Sequence, residues 1–283
     1  MKSKLTDQEK IDLINKYETG IYTCSMLDKE YNLKKGRSSY LLRTRNITIN
    51  NDKTIVCKQY HFNESYFNKI DTEHKAYFLG LLFADGNVSQ DKTRITLHLL
   101  ESDKIILDQF QKELSLKKPY YRQVYTTKTG INSTLALTIT SHHMCQKLFQ
   151  LGCTPAKSLT LKWPPKNTIP EHLIRHFIRG YFDGDGSIFQ YRTSDNYIQY
   201  RFSIISTNDF CTSMKSYIEN ELDINVYLSD KSTNNITKEL IISGNKQFLQ
   251  FGDLIYKDIT VCLPRKQHRY VNYKACYLER TTK

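Results

Sequence analysis

Phe78-Leu79-Gly80-Leu81-Leu82-Phe83-Ala84-Asp85-Gly86 is an apolar run that ends in an acid and a glycine. Ile178-Arg179-Gly180-Tyr181-Phe182-Asp183-Gly184-Asp185-Gly186 repeats its layout one hundred residues later. Both read glycine, four residues, Asp-Gly. Taken as helices, each places two small residues four positions apart on one face: Gly80 with Ala84, and Gly180 with Gly184. Small residues at that spacing remove side-chain bulk and let two helix backbones approach closely. Charged residues flank both runs, and neither nears the roughly 20 apolar residues of a membrane span, so the pairing is expected inside a soluble core. Gly86 and Gly186 fall where each helix stops and the chain turns into a strand.

Asp85 and Asp185 are then left at the negative ends of two helix dipoles, a poor place for an anion. If the helices pair, two carboxylates meet, and like charges at close range resist joint ionisation. A hard divalent cation resolves that conflict, because magnesium and calcium take oxygen ligands. An Asp-Gly pair is also a common turn element. Two of them in register with matched flanks point instead to a shared acidic site.

These residues resemble the LAGLIDADG homing endonuclease family. The resemblance implies an α+β fold of duplicated α-β-β-α-β-β-α repeats, whose motif helices pair at a pseudo-twofold axis and whose antiparallel sheets form a DNA-binding saddle. It implies a metal site built on Asp85 and Asp185 with the adjoining Gly86 and Gly186. The cofactor it implies is Mg²⁺, with Mn²⁺ or Ca²⁺ able to substitute. There are departures. The family's earlier acid is Phe83 in the first copy and Asp183 in the second, and Phe78-Leu79 and Ile178-Arg179 replace Leu-Ala. The resemblance covers roughly Asp71 to Arg280.

Composition agrees with a polyanionic partner. The 283 residues carry 41 Lys+Arg against 29 Asp+Glu, a net +12, with 20 tyrosines. No apolar run is long enough for a membrane span, and the N-terminus has no signal h-region. The seven cysteines are scattered, odd in number and without a CxxC pair. Structural zinc is therefore not expected, and a reducing compartment holding DNA is: cytoplasm or nucleoid, organelle matrix or nucleus. Intein hallmarks are missing, since the chain starts with Met1 and ends Thr-Thr-Lys without a terminal His-Asn.

Residues 1–50 read as a separate helical module. Thr6 and Glu9 have capping-box spacing, with Ile11 and Ile14 following on one face, and Gly20 breaks the helix. A second helix, about Cys24 to Tyr31, buries Leu27 and Tyr31, and Asn32 suits a left-handed turn position. A third, about Lys35 to Arg45, offers Tyr40 and Leu41 to the core and Arg37, Ser38 and Arg43 outward. The module resembles the helix-turn-helix of resolvases and transposases, which implies a third helix in the major groove. Residues 51–71 read as a linker, its aromatic stretch Tyr60 to Phe67 docking on the next domain.

Residues 72–166 form the first expected repeat. Glu73 to Ala84 is its motif helix, and Arg94 to Leu99 alternates cleanly, with Arg94, Thr96 and His98 facing outward. A helix spans Asp103 to Leu114, a hairpin turns at Lys128 to Gly130, and a helix closes near His142 to Leu151. Pro155, Pro164, Pro165 and Pro170 mark the junction. Residues 167–283 replay the order: a motif helix Glu171 to Asp183, a hairpin about Ser194 to Asn196, a helix Asp209 to Leu222, a second hairpin and a helix Asn245 to Tyr256. Basic Arg265 to Arg280 ends the chain.

A half-buried antiparallel sheet offers its polar face to solvent. The residues expected on those faces are Arg94, Thr96, Tyr121, Gln123 and Tyr125 in the first repeat, and Gln190, Arg192, Gln199 and Arg201 in the second. Such groups hydrogen-bond base edges or phosphates. By strand order, His98, His142 and Lys246 are candidate proton-handling groups near the acids. The resemblance implies cleavage of both strands of a long asymmetric duplex by a pseudo-twofold monomer, and a role in moving an intron or mobile gene. Two alternatives stay open at the level of sequence. One is an RNA maturase assisting its host intron, and the other a non-cutting regulator that pairs this fold with a helix-turn-helix.

Overall fold

The computed structural model describes residues 5–18, 22–45, 47, 60–127, 130–231 and 236–281. They divide into two compact units, Met1–His61 and Phe62–Lys283. Among the described residues no helix is long and apolar enough to cross a membrane.

The first unit holds α1 (Asp7–Glu18), α2 (Cys24–Glu30) and α3 (Arg37–Thr44). The expected capping box forms: Thr6 N–H donates to Glu9 Oε2 at 2.9 Å, and Glu9 N–H to Thr6 Oγ1 at 3.3 Å. The buried face of α1 is Leu13 and Tyr17, one step round from the expected Ile11, which is 48% exposed. In α3 the core residue is Leu42, while Tyr40 is 59% exposed and stacks under the Arg37 guanidinium at 5.3 Å. Tyr31 is only half-buried, and Asn32 takes the expected left-handed φ of 52°. The expected break at Gly20, residues 51–59 of the linker and the turn residues Lys128 and Thr129 lie outside the described residues.

The second unit contains both repeats. Tyr66 and Phe67 from the expected linker are buried in it against Phe110. The first repeat runs α4 (Glu73–Ala84), β1 (Gly86–Val88), β2 (Arg94–Leu100), α5 (Lys104–Glu113), β3 (Tyr121–Thr127), β4 (Gly130–Thr140) and α6 (His142–Gln150). The second runs α7 (Glu171–Asp185), β5 (Gly186–Arg192), β6 (Ile198–Thr207), α8 (Asn208–Leu222), β7 (Tyr227–Asp230), β8 (Thr237–Ser243) and α9 (Asn245–Tyr256). Each repeat makes a four-stranded antiparallel sheet of the same order, β1-β2-β4-β3 and β5-β6-β8-β7. The registers also match: Gly86 pairs Leu97, which pairs Leu137, and Gly186 pairs Ile204, which pairs Leu240. One side of each sheet packs on its helices, so Ile95, Leu97 and Leu99 in β2 are buried, as are Phe202 and Ile204 in β6.

The basic C-terminal stretch is a helix, α10 (Pro264–Thr281). Proline suits a first helical position. Tyr270 seats the helix: its ring lies where a Cβ on Gly252 of α9 would be, and its hydroxyl donates to Asp253 at 2.8 Å.

Candidate active site

The motif helices α4 and α7 pack backbone to backbone. A Cβ on Gly80 would overlap the carbonyl oxygen of Phe177 and come 2.8 Å from Tyr181 N. One on Gly180 would overlap the carbonyl oxygen of Tyr77 and come 3.0 Å from Leu81 N. At the helix ends, a Cβ on Gly184 would overlap that of Ala84 and sit 3.0 Å from Asp85 Oδ2. Gly80, Ala84, Gly180 and Gly184 therefore all lie in the interface, as their spacing predicts, and they bring the two Asp-Gly ends together.

Asp85 caps α4, its N–H donating to Leu81 O at 2.9 Å, and Asp185 is the last residue of α7. Gly86 and Gly186 follow directly as the first residues of β1 and β5. Neither takes a left-handed φ; Gly186 has φ −86°. They are needed for space, because a Cβ would run into Leu82 at the first and Phe182 at the second.

The acids feel their surroundings. Burial pushes the Asp85 carboxyl up to about 6, and the neighbouring Asp185 charge adds to the effect. Asp185 opens to solvent, yet burial in the surrounding protein still raises its carboxyl above the usual range. Two lysines pull both acids the other way. Lys157 Nζ donates to Ala84 O at 3.0 Å and Gly86 O at 2.5 Å. Lys266 Nζ donates to Phe182 O at 2.7 Å and Gly184 O at 3.2 Å. Each lysine thus caps the negative end of one motif helix. Lys266 is 7% exposed, and burial lowers its ammonium to about 8.

These lysines are the residues that reading by strand order misses. Their signal is a second internal match, Cys153-Thr-Pro155-Ala-Lys157 and Cys262-Leu-Pro264-Arg-Lys266. The expected His142 and Lys246 are not brought to the acids. β4 runs antiparallel to β2, so its last residue, Thr140, pairs Arg94, three residues along β2 from the Leu97 that faces Gly86. That is about 10 Å along the strand, and His142 lies farther on. Lys246 follows Ser243, which pairs Arg201, again three residues from the Ile204 that faces Gly186. Both side chains are exposed. His98 lies one residue beyond the partner of Gly86, at the acid end of the ladder, on the solvent face.

Asp183 is a structural anchor. It is 1% exposed and accepts hydrogen bonds from Leu263 N at 2.6 Å, Tyr77 Oη at 2.9 Å and Tyr256 Oη at 3.2 Å. Burial raises its carboxyl to about 6. Arg179 is wholly buried beside it, bonded to Glu73 at 2.7 Å, Val261 O at 2.9 Å, Ile255 O at 3.0 Å and His176 Nδ1 at 2.7 Å. Burial and that guanidinium hold His176 neutral, its ring lowered to about 4.

The residues can hold a hard divalent cation. Two carboxylates converge where helix dipoles and mutual repulsion both disfavour their charge, and their oxygens suit magnesium. The Gly86 carbonyl, an expected metal neighbour, already accepts from Lys157.

The sheet faces complete the surroundings. In the first repeat Arg94, Thr96 and His98 share a face with Tyr121, Gln123 and Tyr125, since Thr96 pairs Thr138, His98 pairs Ala136 and Tyr121 pairs Ala136. In the second the expected set splits. Gln199 and Arg201 pair Tyr191 and Phe189, and the Arg201 guanidinium stacks 5.0 Å from Phe189 and 4.8 Å from Tyr191. Gln190 and Arg192 pair Tyr200 and Ile198 and so lie on the opposite face, with buried Ile188. Half-buried aromatics at 189 and 191 mask the true alternation. In the first unit, Arg37 and Arg43 are exposed as expected, but Ser38 is not available to a partner. It is fully buried, and its N–H and hydroxyl both donate to Asp28, at 2.8 and 2.7 Å, while Gly36 N–H donates to the same carboxylate at 2.6 Å. Asp28 thereby caps α3 from α2.

Residues 172–256 match the family model of the LAGLIDADG-like domain. No curated protein sequence matches the chain. Among solved structures, the chain is similar at 12% identity to the I-LtrWI LAGLIDADG homing endonuclease bound to target DNA, over 78% of this chain and 92% of that one, with a TM-score of 0.46. It is similar at 12% identity to the homing endonuclease I-WcaI bound to its DNA recognition sequence, over 80% of this chain and 97% of that one, with a TM-score of 0.48. Full-length DUF199/WhiA from Thermatoga maritima is similar at 18% identity, over 77% of this chain and 70% of that one, with a TM-score of 0.43. The second repeat matches the LAGLIDADG-like domain, and the first repeats its strand order, register and motif helix, so the α+β architecture is that of the LAGLIDADG fold.

Proposed function

We propose that this chain, built on a LAGLIDADG fold, is a metal-dependent DNA endonuclease that cuts both strands of a long duplex site as a single polypeptide. The observation that carries the reading is the meeting of Asp85 and Asp185 at the ends of glycine-paired helices, each end capped by a lysine. Asp85 and Asp185 would hold a divalent cation, Mg²⁺ in the first instance, which when bound activates water and stabilises charge on the phosphate.

The chain's own residues supply the rest. The pairing of α4 and α7 fixes the separation of the two acids. Lys157 and Lys266 place positive charge beside both, where negative charge builds up on a phosphodiester in the transition state. Lys266, lowered to about 8, is also close enough to neutrality to give up or hold a proton at Nζ. The polar sheet face of the first repeat, and Gln199 and Arg201 of the second, suit contacts to base edges and phosphates. Arg37, Tyr40 and Arg43 on α3 would add contacts outside the saddle, as a helix-turn-helix does.

The presence of both acids favours cutting over mere binding, which does not require them. Mobility of an intron or gene is the biological role this activity would serve. The test is cleavage selection from a randomised duplex library in Mg²⁺. Recovery of one long site cut on both strands is the expected result, and the absence of any metal-dependent cut product would reject the reading.

A further inference from the structure

The two lysines beside the acids are held differently. Lys157 belongs to a short turn after α6, and its side chain is half-buried. Lys266 is almost fully buried in the first turn of α10. Its backbone N–H donates to Leu263 O at 3.1 Å, so Leu263 fixes the start of that helix. Leu263 N–H in turn donates to Asp183, which sits on α7 between the two residues whose carbonyls Lys266 grips, Phe182 and Gly184. The bonds form a closed clasp: α7 holds the root of α10 through Asp183, and α10 holds the end of α7 through Lys266. In the first repeat the position of Asp183 is Phe83, which packs on the Phe177 ring and offers no acceptor. There the corresponding cysteine, Cys153, makes a weak bond to Leu82 O at 3.5 Å, and no helix follows of the kind that carries Lys266.

We infer that Asp183 is a positioning residue for Lys266, so that the two halves of the cleavage site are unequal: the half containing Lys266 is pre-organised through a buried carboxylate, and the half containing Lys157 is not. The inference rests on the endonuclease reading for its consequence, but the clasp itself is measurable without DNA. Misplacing a reactive group by about 1 Å is enough to slow chemistry by on the order of 10²-fold. Loss of the Leu263 anchor therefore acts on one strand only.

The experiment uses the full chain with Asp183→Leu, which removes the acceptor at similar bulk, and Asp183→Asn, which keeps an oxygen for Leu263 N–H. Tyr77→Phe and Tyr256→Phe remove the other two partners and leave that bond in place. Amine acylation read by mass spectrometry reports each lysine. Lys266 is expected to be protected in the wild type, in Asp183→Asn and in both tyrosine variants, and to become as reactive as Lys157 in Asp183→Leu, with Lys157 unchanged. Strand-resolved cleavage of a plasmid bearing the selected site gives the second readout. Asp183→Leu should accumulate nicked circle, cutting one strand at the wild-type rate and the other on the order of 10- to 100-fold slower. The slow strand should be the one slowed by Lys266→Ala, with Lys157→Ala slowing the opposite strand. If Asp183→Leu does not fold, Asp183→Ser, too short to reach Leu263, carries the same expectations. Unchanged protection of Lys266, or equal slowing of both strands, overturns the inference. A wild-type chain that never cuts would reject the endonuclease reading, while the acylation result still decides the clasp.

Discussion

The two repeats share one ladder register and bury different chemistry around it. On α4 the positions matching His176, Arg179 and Asp183 are Ala76, Leu79 and Phe83, all apolar and buried. On α7 Arg179 and Asp183 reach the segment around residues 255–263 by hydrogen bonds, and His176 joins them through Arg179. The sheet faces diverge as well. Thr96, His98, Ala136 and Thr138 in the first repeat correspond by register to Ser203, Ile205, Glu239 and Ile241 in the second. The interface positions match because backbone contact at Gly80 and Gly180 leaves no room for alternatives, and the acids, the glycines after them and the lysine caps match with them. Positions away from these diverge, and the divergence decides how firmly each lysine is held.

The largest effect should come where the repeats are alike. Gly80→Leu or Gly180→Leu drives a side chain into the facing backbone, a cost beyond the roughly 1–3 kcal/mol of ordinary core overpacking, and thermal melting should show both failing to fold or unfolding far earlier. An unchanged Tm for either would break the paired-helix account.

Where the repeats differ, the substitutions should be unequal. Arg179→Leu gives α7 the residue of α4 but strands Glu73 without its guanidinium. Breaking a buried pair costs on the order of 3–5 kcal/mol, so melting should fall sharply, and Arg179→Leu with Glu73→Gln should recover part of the loss. Leu79→Arg, its mirror, has the buried apolar Leu173 at the position that corresponds to Glu73, and should not be rescued by Glu73→Gln. Equal damage from the two exchanges would mean the buried network has no special role.

The match and mismatch between sequence and structure follow the same division. The motif helices, both acids and the four small interface residues were legible because helical spacing and duplication are local signals. The lysines at 157 and 266 were not, since their chain segments return to the acids only after whole sheets and helices intervene. Strand β5 was misread in phase because Phe189 and Tyr191 are aromatic yet face outward, where Arg201 lies over them. Ser38 looked like a surface hydroxyl because its partner, Asp28, lies ten residues away on another helix. Local period cannot report a tertiary partner of that kind.

The acids provide a smaller effect. A carboxyl raised from 3.8 to about 6 in the folded state, as for Asp85, is a burden once ionised. Without metal, its contribution to stability is therefore fully present below pH about 4 and lost as pH rises through about 6. The loss is at most about 3 kcal/mol, and less where solvent screens the charge. Asp183 titrates over the same range, so the readout is the difference between wild type and Asp85→Asn, which should shrink that loss. Mg²⁺ should raise the wild-type Tm more at pH about 7.5 than at pH about 5. Equal stabilisation at both would place the cation elsewhere.

The smallest expected change tests the sheets. Arg201→Ala should weaken duplex binding and lower the slope of log affinity against log salt by about 0.9 if its guanidinium meets a phosphate. Arg192→Ala, on the other face, should leave the slope unchanged.

The measurement that bears most directly on the central claim compares Asp85→Asn and Asp185→Asn with the wild type for duplex affinity and for cleavage of each strand in Mg²⁺. Paired acids sharing one metal-dependent site predict affinity near normal and cleavage abolished in both variants. Either variant cutting both strands at the wild-type rate would contradict the account.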